Sequence, residues 1–258
     1  MRPSRDLYLR ALRILACICD LCLPIPPVKM LAFVLLALSS ILPALAMPSP
    51  NVHDIAPRYL HSCDLSHARL VFPNGSAIAS PSGPPSFIGL GVGTQNYTCT
   101  ADGVYTNVGA VATLFDISCL VGTPLFGHIQ DLAIDAWKRI HNNQSVPPEL
   151  RQDFFVLGDH FFITNPVTGS GISPKWDFTK SLHNSEAFVV GARSGGMPAP
   201  TGSQDIDWLV LNRVIGSLAT QVFRVDTREG QPPPSCTPGS PLITVKYTAK
   251  YWFFGSLL

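Results

Sequence analysis

The sequence predicts a mainly β domain, an antiparallel β-sandwich or barrel with one amphipathic helix at about 124–141. Three observations carry that expectation. Near the C-terminus, Ile243, Val245, Tyr247, Ala249, Tyr251 and Phe253 alternate with Thr244, Lys246, Thr248 and Lys250. Successive side chains of a strand point to opposite faces, so the first set forms a core face and the second a wet one. Shorter runs with the same period of two lie at 95–100, 110–115, 154–164, 187–193 and 218–225, between turn-rich connections. Only one segment has the helical period. Leu125, Ile129, Leu132, Ala136 and Ile140 recur three and four residues apart, widened by Phe126, Ala133 and Trp137, and start near Pro124.

Before these elements comes a leader, residues 1–46. Leu31 to Ala46 is an uncharged apolar run that follows Lys29 and ends in Ala44-Leu45-Ala46. It is shorter than the roughly 20 apolar residues of a membrane-spanning helix. A basic flank, a short apolar core and a small-residue terminus read as a secretory signal cut after Ala46, with either Met1 or Met30 as the start. Cleavage leaves Met47 to Leu258, secreted and either extracellular or associated with a cell wall, with no membrane segment of its own. Residues 47–86 read as an N-terminal arm, loose and polar over 47–60, with a Ser/Pro/Gly loop at Asn74–Pro85 that carries too little apolar surface to pack. Residues 87–258 are the β-rich domain.

Export sets the meaning of the cysteines. Cys17, Cys19 and Cys22 fall in the leader, which leaves Cys63, Cys99, Cys119 and Cys236. An even number in an exported chain implies two disulfides, and the spacing leaves all three pairings open. Three Asn-x-Ser/Thr triplets make Asn74, Asn96 and Asn143 candidate glycosylation sites. Eighteen Lys and Arg against 17 Asp and Glu give a net charge of +1, with no clustered basic face, so nucleic acid is not an expected partner.

Few constellations carry chemistry. Gly89-Leu90-Gly91-Val92-Gly93 leads into Thr94-Gln95-Asn96-Tyr97, a strand pattern, whereas a dinucleotide loop must open a helix. These glycines read instead as a close backbone approach, and no cofactor is expected. An oxidised Cys63 between His61 and His67 is no thiolate ligand, so no metal is expected there. Asp159 and His160 are the candidate catalytic pair, since an imidazole titrates near neutral pH and a neighbouring carboxylate completes an acid–base couple. Trp176 with Asp177, and Asp205 and Asp207 with Trp208, are candidate carbohydrate-binding residues: aromatic faces stack on sugar rings and carboxylates accept from hydroxyls.

Several ordered motifs resemble a known family. They are Gly91-x-Gly93-Thr94-Gln95-Asn96-Tyr97-Thr98-Cys99, Gly109-Ala110-x-Ala112-x-Leu114-x-Asp116 and Gly158-Asp159-His160-Phe161-Phe162. Ile206-x-Trp208-Leu209-x-Leu211, then Arg224-Val225-Asp226-Thr227 through Gly230 and Pro233 to Cys236, and Tyr247-x-Ala249-x-Tyr251-x-Phe253 complete the order. Over roughly Phe87 to Phe254 the chain resembles a secreted protein family of unknown function, common in filamentous fungi and found in bacteria. Its members are sometimes labelled malate dehydrogenase. The family has no settled activity, so the resemblance transfers no catalytic residue, and the dehydrogenase label conflicts with a chain that shows no dinucleotide loop and no βαβ units. Asp207 stands where the family usually has proline, and Glu229 where it usually has glycine. Bacterial relatives keep cysteines like Cys99 and Cys236 alone, which implies a Cys99–Cys236 bridge and leaves Cys63 for Cys119. The expected function is that of a secreted, disulfide-bonded glycoprotein, a binding or structural surface protein with carbohydrate or a cell-wall polymer as partner. The alternative is a secreted hydrolase or lyase acting on cell-wall or plant polymers.

Overall fold

In the computed structural model, which describes residues 63–140, 146 and 155–258, eight antiparallel strands close into one barrel in simple chain order. They are β1 (Pro85–Cys99), β2 (Tyr105–Asp116), β3 (Val156–Thr164), β4 (Ile172–Asp177), β5 (Phe188–Met197), β6 (Trp208–Ile215), β7 (Gln221–Glu229) and β8 (Ile243–Phe254). The barrel closes where β8 pairs along the length of β1, with Gly91 opposite Ala249. Closure gives every strand two neighbours, although β4 and β5 pair only between Lys175–Asp177 and Phe188–Val190. The leader, the arm over 47–60 and Asn143 lie outside the described residues.

The alternation of β8 sets the core. Tyr247, Ala249, Tyr251 and Phe253 are fully buried inside the barrel, joined there by Leu114, Trp176, Phe178, Val189, Leu211 and Val222. An eight-stranded barrel is just wide enough for its interior to be filled by side chains. The glycine run makes that filling possible. Gly89, Gly91 and Gly93 share one face of β1, and a Cβ on Gly91 would lie 2.6 Å from Tyr251 Cε2. A Cβ on Gly93 would lie 2.0 Å from the Val111 carbonyl. The glycines therefore sit within a strand and serve a close approach, not a phosphate loop.

The opposite face of β8 corrects the sequence expectation. Thr248 and Lys250 are not wet: their exposures are 0% and 2%. A helix covers them. Pro124–Gly127 forms a 3-10 turn, the chain breaks at His128, and α1 runs over Ile129–Lys138, shorter than the helix expected over 124–141. Its buried residues are Ile129, Gln130, Ile134 and Trp137, while Leu132 of the expected stripe is 55% exposed. The stripe is rotated because the wall beneath is polar. Thr248 Oγ1 donates to the Gln130 carbonyl at 2.9 Å, and Trp137 Nε1 donates to the Gly93 carbonyl at 2.8 Å. Lys246 Nζ donates to the Trp137 and Ile140 carbonyls at the helix end, where a cation meets the negative pole of the helix dipole. Lys250 Nζ pairs with Asp226 at 2.9 Å and lies 4.4 Å from the Phe126 ring centroid.

Residues 74–84 form the expected loop, mostly exposed with Ile78 buried, while the described arm before it packs. Ala68 and Ile78 are buried, and Phe72 meets the rings of Trp208 and Phe223 on the outer wall. Disulfides join Cys63 to Cys119 and Cys99 to Cys236, the pairing the family resemblance implies. The first ties the arm to the β2–β3 connection. The second ties the end of β1 to the β7–β8 connection, and so marks one end of the barrel.

Candidate functional site

The barrel interior changes character along its length. Phe87, Leu114, Phe178, Val222 and Phe253 fill the end where β1 begins and β8 finishes. Toward the end that carries Cys99–Cys236, polar groups appear on the same inward faces: Tyr251, His160, Tyr247, Gln95, Tyr97 and Arg224. Val222 and Arg224 share strand parity, which turns the Arg224 side chain inward.

His160 lies in this cluster and is 2% exposed. Its ring stacks on Trp176 at 4.6 Å, and its Nδ1–H donates to the Lys175 carbonyl at 2.9 Å. Burial lowers its pKa to about 4, helped by the Arg224 charge and opposed by the Lys175 carbonyl, so the imidazole is neutral near pH 7. Asp159, one residue earlier, faces the outer wall opposite Asp177. Strand parity thus separates the expected acid–base pair: Asp159 and His160 point to opposite sides of the sheet, and no converging dyad forms.

The carbohydrate candidates also divide. Trp176 is 1% exposed inside the barrel and offers no face to a sugar. Asp177 is on the outer wall, where burial pulls its carboxyl up but hydrogen bonds from Lys175 and Thr179 outweigh that and hold it below the usual range. Its ion pair with Lys175 spans 2.7 Å. Trp208 is 7% exposed beneath Phe72, so it too corrects the expectation of an open aromatic platform. Asp205 is buried, and its carboxylate accepts from Thr201 Oγ1 and, at 2.6 Å, from the Glu229 amide. It clamps the β5–β6 loop to the end of β7.

Around the mouth of the barrel the sequence pointed to Asp207 and missed Arg193 and Arg224. Arg224 Nε and Nη2 donate to the Asp207 carbonyl at 3.1 and 2.9 Å. The Asp207 carboxylate lies 3.8 Å from Arg193. Tyr97 OH donates to the Gly230 carbonyl at 2.8 Å, and burial raises its pKa. Tyr247 and Tyr251 share a hydroxyl–hydroxyl bond of 2.9 Å, and burial raises both pKa values. Gln95 Oε1 accepts from Asn107 Nδ2 at 3.0 Å, while Trp176 Nε1 is buried without a hydrogen-bond partner among the described residues. The available signal was strand parity, since an arginine sharing a face with Val222 must enter the barrel.

Beside the mouth, residues 198–207 and Gln231 form an open depression of about 320 Å³, lined by Pro198, Pro200, Ser203, Asp205 and Asp207 among others. Of the two described glycosylation candidates, Asn74 is exposed on a turn, whereas Asn96 is half-buried on the outer face of β1. Among the described residues, no group of three His, Cys, Asp or Glu side chains could hold a metal ion, and no helix is long and apolar enough to cross a membrane.

Fold and site together define an up-and-down antiparallel β-barrel with an apolar closed end and a polar mouth. Residues 80–255 match the model of a family described as a protein of unknown function, DUF3455, and the chain belongs to that family. No curated protein and no solved structure matches the chain. Glu229, where the family resemblance places glycine, has a φ of +58°, a left-handed conformation that glycine adopts freely and other residues pay about 1–2 kcal/mol to hold. Its carboxylate pairs with Lys138 at 2.6 Å.

Proposed function

We propose that this is a secreted, disulfide-stapled glycoprotein that works by binding, with carbohydrate as its ligand class and the depression beside the barrel mouth as its site. The observation that carries this reading is the composition of that depression. The half-exposed Asp207 carboxylate, Ser203 and Gln231 supply acceptors and donors for hydroxyl groups, and Pro198 and Pro200 supply apolar surface for a sugar's C–H face. Two disulfides agree with an oxidising compartment. The hydrolase reading has less behind it, because His160 is stacked inside the wall while Asp159 faces outward.

The test is a glycan and polymer array probed with the secreted, processed protein. Binding to at least one carbohydrate is expected, with loss in Asp207→Ala at unchanged melting temperature. An array without hits would overturn the reading, and release of soluble product from a bound polymer would move support to the hydrolase.

A further inference from the structure

The charge inside the barrel mouth is unbalanced. Two guanidinium groups, Arg193 and Arg224, meet there with one half-exposed carboxylate, Asp207, which lies 3.8 Å from Arg193. The Asp205 carboxylate is consumed by Thr201 and the Glu229 amide. Arg224 therefore has hydrogen bonds to the Asp207 backbone carbonyl but, among the described residues, no carboxylate within ion-pair distance. A half-buried guanidinium without a counter-charge is costly, and a planar fork of this kind matches a carboxylate.

Two further observations point to an occupant. Trp176 Nε1 is an N–H donor on a residue 1% exposed, on the inward side of the wall, and among the described residues it has no acceptor. Buried donors are almost always satisfied by protein, water or ligand. The surroundings are flat and apolar. His160 stacks on Trp176, Tyr251 meets the Trp176 ring edge-on, and the half-buried Phe162 and Leu209 pack against the same core near the open end. A buried donor, two guanidinium groups against the single Asp207 carboxylate, and aromatic walls select an anionic acceptor on a planar apolar body.

We propose that the barrel mouth is a second binding site, for a small aromatic carboxylate, with Arg224 taking the carboxylate and Phe162 and Leu209 contacting the ring. This site is independent of the carbohydrate reading. Asp207 holds Arg224 through its backbone carbonyl, so Asp207→Ala, which removes the side chain used for sugar, leaves this contact in place.

The probes are cinnamate and its neutral isostere cinnamamide, titrated into the secreted protein with tryptophan fluorescence and melting temperature as readouts. Wild type should bind cinnamate saturably, melt higher in its presence and respond at least tenfold less to cinnamamide. Arg224→Gln should lose cinnamate binding at least tenfold, whereas Arg213→Gln, at an exposed arginine toward the far end of β6, should keep it. If Arg224→Gln does not fold, Leu209→Trp, which narrows the mouth, should block cinnamate in a folded barrel. Absence of saturable binding, equal responses to acid and amide, or cinnamate binding retained by a folded Arg224→Gln or Leu209→Trp protein would each overturn the proposal.

Discussion

Asp226 holds a left-handed φ of +49° at the bulge in β7 and pairs at 2.9 Å with Lys250 under the 3-10 turn. The pair is asymmetric, because the Lys250 side chain is 2% exposed and that of Asp226 is 34% exposed. Asp226→Asn keeps a residue that tolerates the left-handed region and keeps an oxygen within reach of Nζ, so it removes charge alone. It leaves a buried ammonium with only the Phe126 face and a neutral amide. Removing one partner of a buried pair costs about 3–5 kcal/mol, and the residual contacts put this case near ~3 kcal/mol. Lys250→Met removes the buried charge itself, fills the space with a flexible apolar chain and leaves Asp226 free to hydrate, so about 1 kcal/mol or less is expected. At about 2–4 °C per kcal/mol for a domain of this size, the melting points should fall by about 6–12 °C and by less than ~4 °C respectively. Calorimetry and urea titration at neutral pH measure both. A Lys250→Met loss equal to or greater than that of Asp226→Asn would refute the reasoning.

Other outcomes follow from the same structure. With the His160 pKa lowered from 6.5 to about 4, the unfolded chain binds more protons between those values, so stability is full above about pH 6.5 and declines as pH falls toward 4. That window is worth about 3 kcal/mol at most, and a folded His160→Gln protein should show a flatter profile in urea titrations across it. Gly93→Ala should prevent folding, since its Cβ would meet backbone 2.0 Å away, while Gly127→Ala, with open space around it, should melt within about 2 °C of wild type by circular dichroism. Peptide mapping should recover Cys63–Cys119 and Cys99–Cys236, and Cys236→Ala should lose about 2–5 kcal/mol and secrete poorly in a pulse–chase. N-terminal sequencing of secreted protein should begin at Met47, and a start well upstream would contradict the signal reading.

The inward face of β8 was legible because alternation is strict and aromatic there. Its outer face was misread for a physical reason: polarity marks exposure only if nothing polar covers it, and α1 brings its own carbonyls and Gln130 onto Thr248 and Lys246. β4 and β6 left little signal. One is six residues with an internal proline, and the other is a nearly continuous apolar run, which carries no period of two. The same limit hid the site. Asp159 and His160 are adjacent in sequence and therefore on opposite faces, a separation the strand period already contained. Arg224, like the Asp226, Arg228 and Glu229 that follow it in the strand, reads as solvent-facing until the parity of Val222 fixes the inside.

The pairing of the first strand with the last constrains how this chain can be made. β1 gains its second neighbour only when β8 has been synthesised, after every other strand. Until then a fifteen-residue strand, thinned by three glycines, presents an open ladder of amides and carbonyls. Such long-range closure is slow relative to hairpin formation, and an unclosed sheet of this kind invites pairing between nascent chains. The seam therefore makes the barrel all-or-nothing: a chain truncated anywhere before residue 243 is an aggregation-prone open sheet, and only the finished chain removes its own hazard.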